Sequence, residues 1–198
     1  MNKSAGADFK IHPLLAQRWS PRAFSERPVA KEEVHSLLEA ARWAASSFNE
    51  QPWAFLVATK EDSEAHDIMA RCLVDQNRQW AAQAPVLMIT LARNSFLKND
   101  KPNRHAWHDL GLAVGNLSVE AMSRNLWLHQ MAGIKRELIT ETFGINDPWE
   151  PVTAIAIGYL GEADQLPEKL AERESAPRVR RSQAEFTHFN PKGPVHLR

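Results

Sequence analysis

Nine consecutive residues, Ser46-Ser47-Phe48-Asn49-Glu50-Gln51-Pro52-Trp53-Ala54, crowd two hydroxyls, two side-chain amides and a tryptophan into one short connection. Ser, Asn and Gln side chains can both donate and accept hydrogen bonds. The segment therefore suits a flat heterocycle whose edge alternates donors and acceptors, as the pyrimidine edge of a flavin does. Taken alone, it is equally an ordinary polar loop between a helix and a strand, punctuated by Pro52.

A second group of residues could carry anionic charge. Arg18 and Arg22 stand near one end of the chain, Arg178 and Arg180 near the other. The planar guanidinium fork matches phosphate oxygens in bidentate fashion and stays charged. Of the eight glycines, none lies between Gly6 and Gly111. A Rossmann fingerprint or Walker loop after the first strand is thereby excluded. If a mononucleotide binds, side chains must take much of its phosphate charge. Each arginine by itself is also readable as a solvated surface charge.

Other chemistries find little support. His105 and His108, with Asp109 adjacent, have a spacing that could ligate metal, but no third ligand and no His-Glu-x-x-His accompany them. A polar helix face accounts for them, and no metal site is expected. There is no Gly-x-Ser-x-Gly elbow, and Cys72 has no catalytic context. Tyr159, the one tyrosine, ends a strand-like run and reads as structural. With no foothold for acid–base or nucleophilic catalysis by side chains, the pattern suits an enzyme whose cofactor does the difficult chemistry.

Three segments in order then carry a family resemblance: Arg18-Trp19-Ser20-Pro21-Arg22-Ala23-Phe24, the Ser46–Trp53 loop, and Arg178-Val179-Arg180-Arg181. They resemble the Arg-x-Ser-x-Arg-x-Phe opening, the Ser-Ser-x-Asn-x-Gln-Pro-Trp loop and the late Arg-x-Arg of the nitroreductase family, FMN-dependent flavoproteins that oxidise NAD(P)H. The resemblance spans about Arg18 to Phe189. It implies that Arg18, Ser20 and Arg22 hold the phosphate, ribityl chain and ring edge, with Trp19 contributing only its backbone. Arg178 and Arg180 join them at the phosphate, whereas Arg173, at an unmatched position, is expected to be indifferent. Ser46, Ser47 and Asn49 look like flavin contacts supplied by a partner subunit. Gln130, Met131, Ala132 and Gly133 look like the segment whose backbone N–H passes the reactive ring nitrogen, and Asn77 is similar to a ring-binding Asn. Ser182 stands where proline commonly follows the basic pair.

The same resemblance implies FMN as cofactor, NAD(P)H as co-substrate, and a nitroaromatic, quinone or enone as acceptor in a ping-pong hydride cycle. It implies a homodimer with the FMN sites at its interface. Two alternatives stay open: another chemistry on the same scaffold, such as reductive dehalogenation or flavin breakdown, and a flavin-binding or flavin-storing protein without turnover.

The elements that must position these residues follow from bulk properties and periodicity. A chain of 198 residues, 43% hydrophobic and with zero formal net charge, has enough mass for one cored domain over residues 1–198 and no basic footprint for nucleic acid. Seven tryptophans spread along the chain read as core or interface filler rather than as a base-stacking platform. The single Cys72 fits a reducing compartment, and its surroundings suggest a packing role. No apolar run reaches the ~18 residues of a membrane helix. The first residues lack the apolar segment of a signal peptide, so a cytoplasmic protein is expected, with residues 1–10 as a disordered tail.

Helices are predicted over Pro13 to Gln17, Lys31 to Ala44, Ser63 to Leu73, Arg104 to Asn125 and Lys135 to Phe143, the last stopped by Gly144. Strands are predicted over Phe55 to Thr59, Val86 to Leu91 and Val152 to Tyr159. In the longest helix, Trp107, Leu110, Val114, Leu117 and Ala121 form an apolar seam beside Gly111, Gly115 and Ser118. Two mid-helix glycines, each costing ~1 kcal/mol against alanine, suggest a closely approaching helix backbone; tight packing within one subunit serves as well. The class is α+β, a small mostly antiparallel sheet surrounded by helices. The family resemblance adds a nitroreductase-like fold with the long central helix at a dimer interface.

Overall fold

In the computed structural model, residues 3–194 are described. Strands β1 (Trp53–Thr59), β2 (Val86–Arg93), β3 (Trp127–Met131) and β4 (Trp149–Gly158) make an antiparallel sheet in the order β1-β2-β4-β3. The helices are α1 (Pro13–Gln17), α2 (Lys31–Arg42), α3 (Ser63–Arg71), α4 (Asp75–Ala81), α5 (Ala106–Ser123), α6 (Arg136–Phe143) and α7 (Glu168–Ser175). The expected α+β class, a small sheet surrounded by helices, is the one that forms.

Strand β2 explains the apolar run from Val86 to Leu91, interrupted only by Thr90. Val86 and Met88 pack with Val34, Leu37 and Ala41 of α2 and with Leu110, Val114, Leu117 and Ala121 of α5. Leu87, Ile89 and Leu91 pack on the opposite face with Met69, Ala70, Leu73, Trp80 and Ala81. Both faces are thus covered by helices, and alternation has no polar side to display. Register slips between Thr90 and Leu91, where Thr90 Oγ1 instead donates to the Thr153 carbonyl at 3.1 Å. Cys72 is buried in the second of these clusters, where burial pushes its thiol up from the ordinary value. At the end of β4, a Cβ on Gly158 would stand 2.6 Å from Pro85 Cδ, so only glycine lets the loop before β2 pass this closely.

Helix α1 recurs with its predicted ends and the other predicted helices recur with one or both ends one or two residues shorter, and Gly144 closes α6 at φ 63° in the left-handed region. Three elements were not anticipated: α4, α7 and the edge strand β3. The α5 seam divides. Leu110, Val114, Leu117 and Ala121 are buried, but Trp107 is 48% exposed. Gly111 and Gly115 lie on the uncovered face, with nothing within 4 Å of a Cβ built on either. Among the described residues of one subunit, therefore, no neighbour requires these two glycines.

Of the tail expected over residues 1–10, Met1 and Asn2 lie outside the described residues. Further on, Ala5 N–H donates to the Ala16 carbonyl at 2.8 Å, and Lys3 bonds both α7 and Arg178.

Candidate functional site

The two basic segments from opposite ends of the chain meet. Arg18, Trp19, Ser20 and Arg22 line a cavity of about 210 Å³ together with Arg178 and Arg180. Lys3, Arg173 and Glu174 line it as well, although nothing in the sequence marked them. Helix α7 sets this geometry. Its Glu174 carboxylate, 2% exposed, accepts the backbone N–H of Arg22 at 2.8 Å and of Ala23 at 3.1 Å. The second carboxylate oxygen lies 3.8 Å from Arg22 Nη1. Arg18 donates to Ser20 Oγ at 3.3 Å, and Arg178 Nη1 donates to the carbonyls of Lys3 and Ala16 at 2.8 and 2.7 Å.

Electrostatically the cavity is crowded. Lys3, Arg18, Arg22, Arg173, Arg178 and Arg180 oppose the lone carboxylate Glu174. Burial, followed by the charges of Arg178 and Arg180, pulls the Arg18 guanidinium below its ordinary range. Burial and the Arg180 charge do the same to Arg178. Like charges held this close disfavour one another, and a bound anion relieves them. The donor set of guanidinium forks with a serine hydroxyl matches a phosphate monoester. Ligand pockets for whole small molecules occupy ~300–1,000 Å³. At about 210 Å³ the cavity suits an ionic end group instead of an entire cofactor.

A second cluster adjoins this one through β3. Its His129 Nδ1 bonds the Pro21 carbonyl at 2.8 Å, and its ring lies 4.6 Å from that of Trp80. Burial holds His129 down to about 4, against the opposing effect of the Pro21 hydrogen bond. The neutral imidazole therefore donates Nδ1–H to that carbonyl. Beyond it, Gln130 is exposed, while Met131 is buried in the core and leaves only its backbone for other contacts. Ala132 is exposed, and Gly133 is tied to α4 by Asn77 Nδ2, which donates to its carbonyl at 3.1 Å. A Cβ on Gly133 would stand 2.6 Å from that same Asn77 nitrogen. Because β3 is an edge strand, alternate backbone N–H and C=O groups are left unpaired along its outer side.

The Ser46–Gln51 loop contributes no residue, Ser46, Ser47 and Asn49 included, to the lining of the basic cavity. Its backbone takes positive φ at Phe48 (54°), Asn49 (57°) and Gln51 (49°). Such residues cost on the order of 1–3 kcal/mol each and persist only where surrounding bonds over-determine them. Here buried Asp109, on the first turn of α5, accepts Ser47 N–H at 3.0 Å. Ser46 Oγ accepts Gln51 N–H at 3.0 Å, and Glu50 accepts Leu97 N–H at 2.8 Å. Phe48 is left 87% exposed. The loop's hydroxyls and amides thus sit on a strained segment anchored by Asp109 and by bonds within the loop.

Arg173, which matches no motif, lines the cavity from α7 beside the matched arginines. Asp109, Glu174, Lys3 and His129 are further positions that sequence reasoning passed over. Asp109 drew attention only beside two histidines, and no local pattern marks the other three.

A family model described as "Nitroreductase family" matches residues 15–159. A crystal structure of an oxidoreductase containing FMN superposes with a TM-score of 0.91 at 33% identity, covering 98% of each chain. The 4-nitrobenzoate reductase of Pseudomonas putida is 24% identical over 225 residues, 89% of this chain and 93% of that protein. An FMN- and NADPH-dependent nitroreductase, NfnB from sphigopyxis sp. strain HMH, shares the fold with a TM-score of 0.70 at 18% identity, over 90% of this chain and 97% of that one.

Proposed function

The chain belongs to the nitroreductase family, and we propose on that premise that it is an FMN-dependent oxidoreductase working as a cytoplasmic homodimer. The observation that carries the reading is the basic cavity, where Arg18, Arg22, Arg178 and Arg180 converge on one small space with Ser20. These residues would hold the FMN phosphate. The chemistry that FMN supplies when bound is acceptance of a hydride from NAD(P)H, then delivery of electrons to a nitroaromatic, quinone or related electron-poor acceptor in a ping-pong cycle.

The chain's own residues position and polarise. Guanidinium donors neutralise the phosphate and fix its orientation. The backbone along Gln130 to Gly133, with Asn77 bracing Gly133, offers N–H groups to the ring. Ser46, Ser47 and Asn49 do not line the basic cavity of their own subunit and would complete the ring site of a partner. Neutral His129 fixes β3 to the Arg18–Arg22 segment, so the phosphate and ring contacts keep one spacing. No side chain need act as nucleophile or transfer a proton at the donor step.

The test begins with the purified protein. It should carry a flavin absorbance band, and acid-released cofactor should chromatograph as FMN. NAD(P)H should bleach the band anaerobically, and a nitroaromatic or quinone should restore it. FAD alone, or no flavin after reconstitution, would falsify the reading. A band that NAD(P)H leaves untouched would favour a flavin-storing protein.

A further inference from the structure

The basic cavity includes two cations from outside the three motif segments, Arg173 on α7 and Lys3. Lys3 arrives from the beginning of the chain and is secured at several points. Its carbonyl accepts Arg178 Nη1 at 2.8 Å, and that same nitrogen donates to Ala16, which also receives Ala5 N–H. Its ammonium donates to the Glu174 carbonyl at 2.5 Å and lies 4.5 Å from the centre of the Trp19 ring. An ordered lysine gives up side-chain rotamer freedom, so holding it beside five arginines requires a return.

Solvation alone does not provide that return. Burial pulls the Lys3 ammonium below its ordinary range; the charge of Glu174 opposes this, and those of Arg178 and Arg22 reinforce it. One Glu174 oxygen accepts the Arg22 and Ala23 N–H groups, while the other lies 3.8 Å from Arg22 Nη1 and has no hydrogen-bond partner among the described residues, so this one carboxylate faces several cations. An ammonium has three donors, and the Glu174 carbonyl takes one of them. A multiply charged anion in the cavity would use the remainder.

We propose that Lys3 is a direct ligand of the phosphate group bound in this cavity, and that residues 3–5 form a strap closing it over Arg178. This rests on the FMN reading above. A strap that merely packed against α1 and α7 would need the aliphatic stem of Lys3 but not its charge. The two cases separate cleanly.

The experiment compares wild type, Lys3→Met and Lys3→Arg, each stripped of flavin and checked for folding by circular dichroism. FMN and riboflavin, which lacks the phosphate, are titrated at low and high salt by flavin fluorescence. Wild type should bind FMN far more tightly than riboflavin. Lys3→Met should lose roughly tenfold in FMN affinity, leave riboflavin unaffected and show a shallower salt dependence. Lys3→Arg should retain most of the affinity. Equal losses for both flavins, or no loss for either, would make the strap purely structural and overturn the proposal. A wild type indifferent to the phosphate would instead overturn the reading of the cavity itself, and the Lys3 assignment with it.

Discussion

Arg178 and Arg180 are adjacent in motif but unequal in position. Arg178 is half-buried and clamps the N-terminal segment through two carbonyls, whereas Arg180 is exposed and, among the described residues, bonds only the neighbouring Val179 carbonyl. Arg180→Ala should therefore report anion binding alone, weakening FMN by about 1.5 kcal/mol, roughly tenfold. The variant should purify paler and recover activity with added FMN. Arg178→Ala should lose FMN and also lower the thermal midpoint, because its clamp goes with it. Arg173→Ala should weaken FMN less than Arg180→Ala does; strict indifference would remove Arg173 from the site. His129 makes a prediction about pH. Its folded value, about 4, lies below the ordinary 6.5. The unfolded chain thus binds more protons between those limits, and stability falls as pH drops from about 6.5 towards 4, by at most roughly 3 kcal/mol. His66, pulled down by burial, acts in the same direction. The urea midpoint should therefore fall between pH 7 and pH 5, and His129→Phe should shrink that difference without abolishing it. An undiminished difference would show that His129 is not the group responsible.

Among the elements, the Ser46–Gln51 loop depends most on outside support. Three non-glycine residues at positive φ store strain that Asp109 helps to hold through Ser47 N–H. Asp109→Ala leaves that donor without its partner, at a cost of about 1–3 kcal/mol. Local opening should precede global unfolding there. A protease cutting after aromatic residues should nick the variant at exposed Phe48 well before it nicks wild type. Equal nicking rates would mean that Glu50 and the Ser46 hydroxyl suffice to hold the loop.

For the whole molecule, the uncovered face of α5 is the telling feature. Gly111 and Gly115 lie there with Leu112 at 40% and Val119 at 36% exposure. A Cβ at either glycine meets nothing in its own subunit, so replacing both with leucine should stabilise an isolated chain by helix propensity, up to ~1 kcal/mol per site. Across a helix-to-helix interface the same change overpacks by ~1–3 kcal/mol per site. The double variant should then dissociate and release flavin while keeping its helical signal. Wild type should sediment at about twice 22.4 kDa. A wild-type monomer retaining stoichiometric FMN would dispose of the shared site.

Short-range order was legible in the residues themselves. The α5 periodicity, the doubly buried run of β2, the Gly144 stop and the three ordered motifs all depend on neighbours within a few positions, where composition and spacing speak directly. Short or charged elements escaped that reading. Helix α4 has seven residues with only Trp80 and Ala81 buried, too little for a periodic stripe, and α7 buries the charged Glu174 in place of an apolar residue. Strand β3 follows α5 after a tight turn with Asn125 at φ 56°, and its five residues look like a continuation of loop. Tertiary structure alone decided the composition of the basic cavity. Lys3 meets Arg178, and Arg22 meets Glu174, through contacts between distant parts of the chain that leave no local periodicity. Which cations share a cavity is set by where α7 and the N-terminal segment dock. That docking follows from packing and hydrogen bonds between remote residues, which a linear pattern does not encode.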